Sequence, residues 1–411
     1  MAIVRPFKAV RPIRDKAALV TTRSFELYSD EELAAILKYN PFSFLHILKP
    51  GYRYQLNLKG VQRFKLIRNR YLEFKENDFF IQDAKPAYYL HQKSYKSKTY
   101  WGFIATSSVA DYNNGIIKKH EATLKDREAL FGKYLETTGF NAEPVLLTYP
   151  DNSKLTALFD KYKKQRAEYE FTSNKKRTHL FWVIDDAEDI ATISSEFANM
   201  DAVYIADGHH RTASSAYLAN AKKESNPKHK GDENYNFFMS YLIAESNLKI
   251  SSFNRFVKTL NGLDKDKFLI ELDTYFRIQK QENKHYKPSK KHHFSMYLEG
   301  DYYALYLRKT AYKITNALDD LDAQVLFTTI LKPILGINDL TNSDKINYKP
   351  AMLNASQLKD EVDSGKYAVG FGLYPTSVTQ LKSIADANLT MPPKSTYIEP
   401  KLRSGLTIYE F

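Results

Sequence analysis

The segment Tyr204-Ile205-Ala206-Asp207-Gly208-His209-His210-Arg211-Thr212-Ala213-Ser214 holds the densest chemistry in this chain. The apolar run Ala202 to Ala206 reads as a buried strand, and Asp207-Gly208 reads as a turn. Ala213, Ala216 and Tyr217 are spaced for the apolar face of a helix from Arg211 to about Lys222. Two histidines, an arginine and the hydroxyls of Thr212, Ser214 and Ser215 are therefore expected where a strand meets a helix N-terminus. Free N–H groups and the helix dipole make such an end receptive to anions. Arg211 adds a planar fork for phosphate or carboxylate. The pattern points to phosphate handling. The competing reading has Asp207 as a cap, Gly208 as a turn and the histidines as a surface pair. A zinc site is not expected. Adjacent histidines diverge on a helix, the chain has no cysteine, and His120-Glu121 is followed by Ala122, Thr123 and Leu124 rather than by the rest of H-E-x-x-H.

Two further polar concentrations stand out. In His120-Glu121-Ala122-Thr123-Leu124-Lys125-Asp126-Arg127, Glu121 has the chemistry of a general base, and His120 and Arg127 could touch an anion. The same residues also suit an ordinary helix start with solvated charges. In the stretch from Met391-Pro392-Pro393-Lys394-Ser395-Thr396 to Arg403, two prolines fix the loop's entry. Lys394, Lys401 and Arg403 could engage phosphate, with Ser395 and Thr396 supplying hydroxyls. The alternative is a rigid loop in which Glu399 pairs with its basic neighbours. Asn254-Arg255 is a weaker polar pair. No Walker phosphate loop or G-x-S-x-G elbow is present. Gly370-Phe371-Gly372 lacks the later glycine of a dinucleotide fingerprint and is assigned to close strand packing.

The elements that must position these residues alternate between strand and helix, which predicts an α+β (mixed α/β) fold. Strands are expected over Ile3 to Val10, Ser43 to Leu48, Ala87 to Gln92, Tyr100 to Ala105, Pro144 to Tyr149, His179 to Ile184 and Ala368 to Tyr374. A hairpin of His292 to Glu299 and Tyr302 to Leu307 turns at Gly300-Asp301. Helices are expected over Asp30 to Lys38, Val61 to Asn77, Asp126 to Tyr134, Leu155 to Tyr169, Leu321 to Ile330 and Val378 to Ala385. The chain divides into three consecutive regions: 1–150, 151–260 with the Asp207 segment as a phosphate-binding core, and 261–411. The 411 residues are 43% hydrophobic and carry a formal charge of +12. The absence of cysteine excludes disulfides, thiolate metal sites and a cysteine nucleophile. With no signal-like start and no membrane-length apolar run, the expectation is a soluble cytoplasmic protein with no membrane partner. The dispersed positive charge without a recognisable nucleic-acid module does not favour nucleic acid as a partner.

These residues resemble the bacterial and archaeal family labelled domain of unknown function ten-fifteen. The markers run end to end: Arg5-Pro6-Phe7, Asn40-Pro41-Phe42-Ser43-Phe44-Leu45-His46, His120-Glu121-Ala122-Thr123, Ile205-Ala206-Asp207-Gly208-His209-His210-Arg211, Leu373-Tyr374-Pro375-Thr376-Ser377 and Met391-Pro392-Pro393-Lys394-Ser395-Thr396. The family's Pro-Tyr-Asp-Val segment is replaced here by Ser24-Phe25-Glu26-Leu27, which puts any role of that acid in question. The Asp-Gly-His-His-Arg turn is also similar to a motif of the ParB/sulfiredoxin-like superfamily, which includes nucleotide-binding partition proteins, sulfiredoxin and free-serine kinases. That resemblance implies a ParB/sulfiredoxin-like core with additional N- and C-terminal α/β regions. Without cysteine, sulfiredoxin chemistry is excluded.

The reaction that the resemblance implies is phosphoryl transfer from ATP or ADP, with magnesium, to a small hydroxylated metabolite such as free L-serine. Asp207, His210, Arg211 and Glu121 are the expected catalytic residues. Asp207 would hold magnesium indirectly or orient His210, Arg211 and His210 would cradle phosphate, and Glu121, with Glu26 as second choice, would take the hydroxyl proton. Gly208, His209, Thr212, Lys394, Ser395 and Arg403 are the expected nucleotide contacts. A non-catalytic nucleotide or phosphometabolite sensor and a small-metabolite phosphatase are the alternatives. The expected partner is a small-molecule substrate, and a homodimer is left open.

Overall fold

The computed structural model describes residues 1–52, 56, 58–282, 285–351 and 356–411, with the backbone alone for Glu26. The chain is an α+β protein. It forms two compact units. Met1–Lys119, Thr123–Leu248 and Pro400–Phe411 make the first, and His120–Ala122 with Lys249–Glu399 make the second. The step at 150/151 therefore falls inside the first unit. Val145–Tyr149 on one side of it pairs in parallel with Phe237–Ala244 on the other, a long-range ladder with no trace in local sequence. Among the described residues, no helix is long and apolar enough to cross a membrane.

The first unit is built on one mixed sheet. Its strands in chain order are β1 (Val4–Arg5), β2 (Tyr88–Tyr95), β3 (Lys98–Ser108), β4 (Ile117–Lys118), β5 (Val145–Tyr149), β6 (Tyr169–Thr172), β7 (Thr178–Ile184), β8 (Val203–Asp207) and β9 (Phe237–Ala244). They lie in the order β6-β7-β2-β3-β9-β5-β8-β4, with β1 on β3. Cross-strand partners share a face, so the register sorts the side chains. Leu90, Phe103, Leu147, Trp182, Ile205 and Leu242 fall on one face and belong to one buried core. The helices Ser153–Lys163 and Ala187–Ala198 close it with Leu155, Phe159, Ile193 and Phe197. Both helices start at side-chain caps. The Asn152 carboxamide accepts the Leu155 N–H at 3.0 Å, and Asp186 accepts those of Glu188 and Asp189 at 3.1 and 3.0 Å.

The opposite face is different. It carries Tyr89, His91, Lys93, His179, Phe181, Tyr241 and Leu146. Gly102 sits among them because a Cβ there would lie 2.1 Å from the Tyr241 ring. That ring crosses the strand to donate its hydroxyl to the His91 carbonyl at 3.1 Å.

The second unit has an antiparallel sheet of β10 (Phe253–Val257), β11 (Phe276–Gln281), β12 (His293–Leu298), β13 (Asp301–Leu307), β14 (Ile346–Pro350) and β15 (Val369–Leu373), ordered β11-β13-β12-β15-β10-β14. Val257, Phe294, Met296, Leu298, Val369 and Phe371 turn one face into a core. On the other face, Gly370 and Gly372 make room for Leu358 and Ser295, since a Cβ would meet them at 3.2 and 2.3 Å. The Gly-Phe-Gly run is close strand packing.

Several local expectations change. Ser43 to Leu48 is a short helix at Leu45–Leu48, not a strand. An apolar run this short does not separate the two states. The Ile3 to Val10 strand is split into Val4–Arg5 and Val10–Pro12, with Pro6, which has no N–H for a ladder, between them. The hairpin turns one residue early, with positive φ at Glu299 (44°) and Gly300 (86°), the geometry of the favoured two-residue turn. Leu321 to Ile330 is an α-turn at Asp322–Leu326 followed by a π-turn at Phe327–Leu331.

Candidate functional site

The strand β8 does not run straight into the turn. Tyr204 and Ile205 face Thr148 and Leu147, but Asp207 faces Leu146. Ala206 is thus an extra residue, a bulge that re-aims the side chains beyond it. Unbulged, Asp207 would share the apolar face of Ile205. The bulge moves it to the face that carries His91, Lys93 and Tyr241.

Gly208 then bends the chain at φ 105°, ψ 28°, and the helix runs His209–Ser225, starting two residues earlier than the apolar spacing predicts. Gly208 itself is the N-cap and offers no side-chain cap, so Asp207 is not the capping residue. The Arg211 guanidinium lies over this bend. A Cβ on residue 208 would be 3.0 Å from its Nε and 3.1 Å from its Nη2. Its Nη1 donates to Glu143 Oε1 at 2.7 Å and to the Pro144 carbonyl at 2.8 Å. Among the described residues, the Nε–Nη2 edge makes no hydrogen bond, and the Arg211 side chain is one-third exposed. One fork is anchored and the other faces the start of the helix.

The hydroxyls are spent differently from the expectation that they form a polar cluster. Thr212, Ser214 and Ser215 are buried and donate back to the carbonyls of Gly208, His210 and Arg211 at 3.3, 2.6 and 3.0 Å. Such i−4 bonds are the usual fate of hydroxyls inside a helix. His209 is buried with them, while His210 is partly exposed.

The C-terminal segment of the first unit completes the surroundings. Lys401 Nζ lies 2.9 Å from Asp207 Oδ2. The buried Lys93 donates its Nζ to the Lys401 carbonyl at 2.5 Å. Ser404 donates to Glu143 Oε2 at 3.2 Å, so Glu143 holds Arg211 and this segment together. Arg403, expected to contact the nucleotide, instead donates Nε to the Thr21 hydroxyl at 3.0 Å and Nη2 to the Thr21 carbonyl. Its backbone pairs with Arg23. Beside Lys93, His91 Nε2 and His179 Nδ1 share a hydrogen bond at 3.0 Å, and Phe171, His179 and His91 stack.

Burial lowers the His91 pKa to about 3, with Lys93 and Arg403 adding to it. Burial also lowers that of His179, helped by His91, Arg403, Lys93 and Arg177. Burial brings Arg403 down to about 10, against the pull of Tyr28 and with help from Arg23 and Arg177. Burial is the first cause in all three, and the neighbouring cations add to it.

His120 and Glu121 belong to the second unit, as does the Met391–Thr396 loop. The Met391 N–H donates to the His120 carbonyl at 2.9 Å, so these two polar segments are brought together. Lys394 adopts φ 56°, its carbonyl accepts from Arg255 Nη2 at 3.3 Å, and Ser395 donates to the Pro392 carbonyl at 2.6 Å. Asn254 donates to Gln357 at 2.6 Å. The side chain of Glu26 lies outside the described residues.

Glu143, Lys93, His91 and His179 were not singled out from the sequence. Local sequence held no signal for them: His91, Gln92, Lys93 and Ser94 are consecutive polar residues, with no period-two stripe to mark the buried face.

No curated protein sequence matches the chain. Among solved structures it is similar to free serine kinase in complex with AMP, at 11% identity and TM-score 0.37, over 74% of this chain and 91% of that one. It is also similar to SbnI from Staphylococcus aureus, at 13% identity and TM-score 0.37 over 72% and 82%. A conserved hypothetical protein from Pyrococcus furiosus matches at 13% identity and TM-score 0.35 over 74% and 95%. The family described as "Protein of unknown function (DUF1015)" matches residues 4–324, and the chain belongs to that family.

Proposed function

We propose that the first unit binds the phosphates of a nucleotide, ATP or ADP, at the Gly208 bend, and that the protein transfers a phosphoryl group to a small hydroxylated metabolite, with free L-serine the first acceptor to assay. The observation that carries this reading is Arg211. One of its edges is anchored by Glu143 and Pro144, and the other is held over a left-handed glycine at an uncapped helix start. Phosphoryl transfer asks a protein mainly for positioning and charge neutralisation, which a pre-oriented guanidinium and helix N–H groups supply. Magnesium, when bound with the nucleotide, would neutralise further phosphate charge.

A sensor reading is favoured by a separate observation. Asp207 is already engaged by Lys401, so ligand arrival would exchange an ion pair that a partner could read. Incubation with ATP or ADP, magnesium and L-serine, and separately with phosphoserine, separates the readings. Phosphoserine in the first mixture supports the kinase, orthophosphate in the second supports a phosphatase, and binding without turnover supports the sensor. Arg211→Ala should cost about 2–4 kcal/mol of transition-state stabilisation, the scale of one preorganised donor. Normal binding and turnover by that variant would remove the site assignment.

A further inference from the structure

Lys401, the ion-pair partner of Asp207, comes from the last residues of the chain, beyond the part that the family description matches. Its backbone is fixed. Lys93 holds its carbonyl at 2.5 Å, and two residues on, Arg403 is bonded to Thr21 and paired with Arg23. Gly405 then donates its N–H to the Ala142 carbonyl at 3.1 Å. The Lys401 side chain is ion-paired with Asp207. Its ammonium rests on Asp207 with the two side chains 31% and 39% exposed, and a pair so wet loses little when its partner is exchanged. Asp207 is the residue that the β8 bulge turns to this face, next to Gly208 and the helix start. Lys401, Lys93 and Arg211 stand against Asp207 and Glu143, so an entering dianion meets more cation than carboxylate.

We propose that Lys401 is a phosphate ligand of this site, stored on Asp207 as its counter-ion until the phosphate arrives. The proposal rests on the phosphate-binding reading and makes the C-terminal segment part of the site. It gives Asp207 the task of parking a lysine.

The test is a titration of the full chain with ADP and with pyrophosphate, both without magnesium, on the parent protein, Lys401→Gln, Lys401→Arg and Asp207→Asn. Thermal unfolding of each variant checks that it is folded. Lys401→Gln is expected to weaken both probes by about ten- to a hundredfold, the worth of one charge-assisted hydrogen bond, and Lys401→Arg to retain most of the affinity. Asp207→Asn releases the lysine and should bind pyrophosphate at least as tightly as the parent. Equal affinities for the parent and Lys401→Gln overturn the proposal while leaving the site reading intact. A loss in Asp207→Asn as large as in Lys401→Gln overturns the counter-ion role. A parent that binds neither probe removes the phosphate reading itself.

Discussion

Gly208→Ala probes the bend most directly. The backbone at 208 has φ 105° and ψ 28°, a region where an L side chain costs about 1–2 kcal/mol. The added methyl would sit 3.0 Å from Arg211 Nε, 3.1 Å from Nη2 and 3.2 Å from Cζ, closer than the optimum carbon contact of about 3.5–4.0 Å. The guanidinium must retreat by a few tenths of an ångström, about the difference between those distances. Its retreat loosens the bonds to Glu143 and Pro144, now 2.7 and 2.8 Å. Gly231 supplies the control: φ is 94° there, with nothing within 4 Å of an added Cβ. Urea unfolding should register a loss of up to about 1–2 kcal/mol for both variants. Only Gly208→Ala should also lose affinity for ADP, by about tenfold, equivalent to about 1.4 kcal/mol. If Gly208→Ala bound ADP as Gly231→Ala does, the placement of Arg211 over the bend would not be what holds the phosphate.

Gly102→Ala should destabilise the first unit by about 3 kcal/mol or more in urea unfolding, the upper range of overpacking. Its Cβ would lie 2.1 Å from the buried Tyr241 ring and 2.8 Å from the Leu242 carbonyl; a wild-type midpoint would contradict the packing of that face. Asp322 makes the second unit pH-sensitive. Burial pushes its carboxyl up to about 7, against the N–H groups of His292 and Tyr374 and the charge of Arg255, with Asp320 adding to the rise. Because the folded pKa lies above the unfolded value of about 4, its stabilising contribution is full below pH 4 and is lost as the pH rises through 7. The loss is on the order of 4 kcal/mol. Asp322→Asn should therefore gain on the parent from pH 4 to 7 in urea midpoints, then run parallel to it; a constant offset across that range would refute the burial argument.

The start of the helix at Asp30 was legible in the sequence because its cap is local chemistry. Ser29 accepts the Glu32 N–H at 3.1 Å and the Glu32 carboxylate returns to the Ser29 N–H at 3.4 Å, a capping box written within a single turn of sequence. The β12–β13 hairpin was legible for the same reason. Ser43 to Leu48 was not, since four or five apolar residues suit either state until packing chooses. The π-turn at Phe327–Leu331 was missed because a helical pattern does not reveal a widened turn; there Thr328 and Thr329 donate to carbonyls one turn back at 2.9 and 2.6 Å.

The Asp207–Arg211 segment was identifiable by sequence alone because glycine, basic and hydroxyl residues next to an apolar strand leave a dense local trace. What each residue does there was decided by tertiary structure. The bulge at Ala206 depends on the register against Leu146 and Leu147, and register is a relation between strands. Glu143, Lys93 and Lys401 reach the segment from positions 68, 308 and 194 residues away from their partners Arg211, Lys401 and Asp207. Local pattern carries turn and helix chemistry, because those bonds close within a few residues. It cannot carry the counter-ions of this segment, because these charges find their partners only after the chain has folded back on itself.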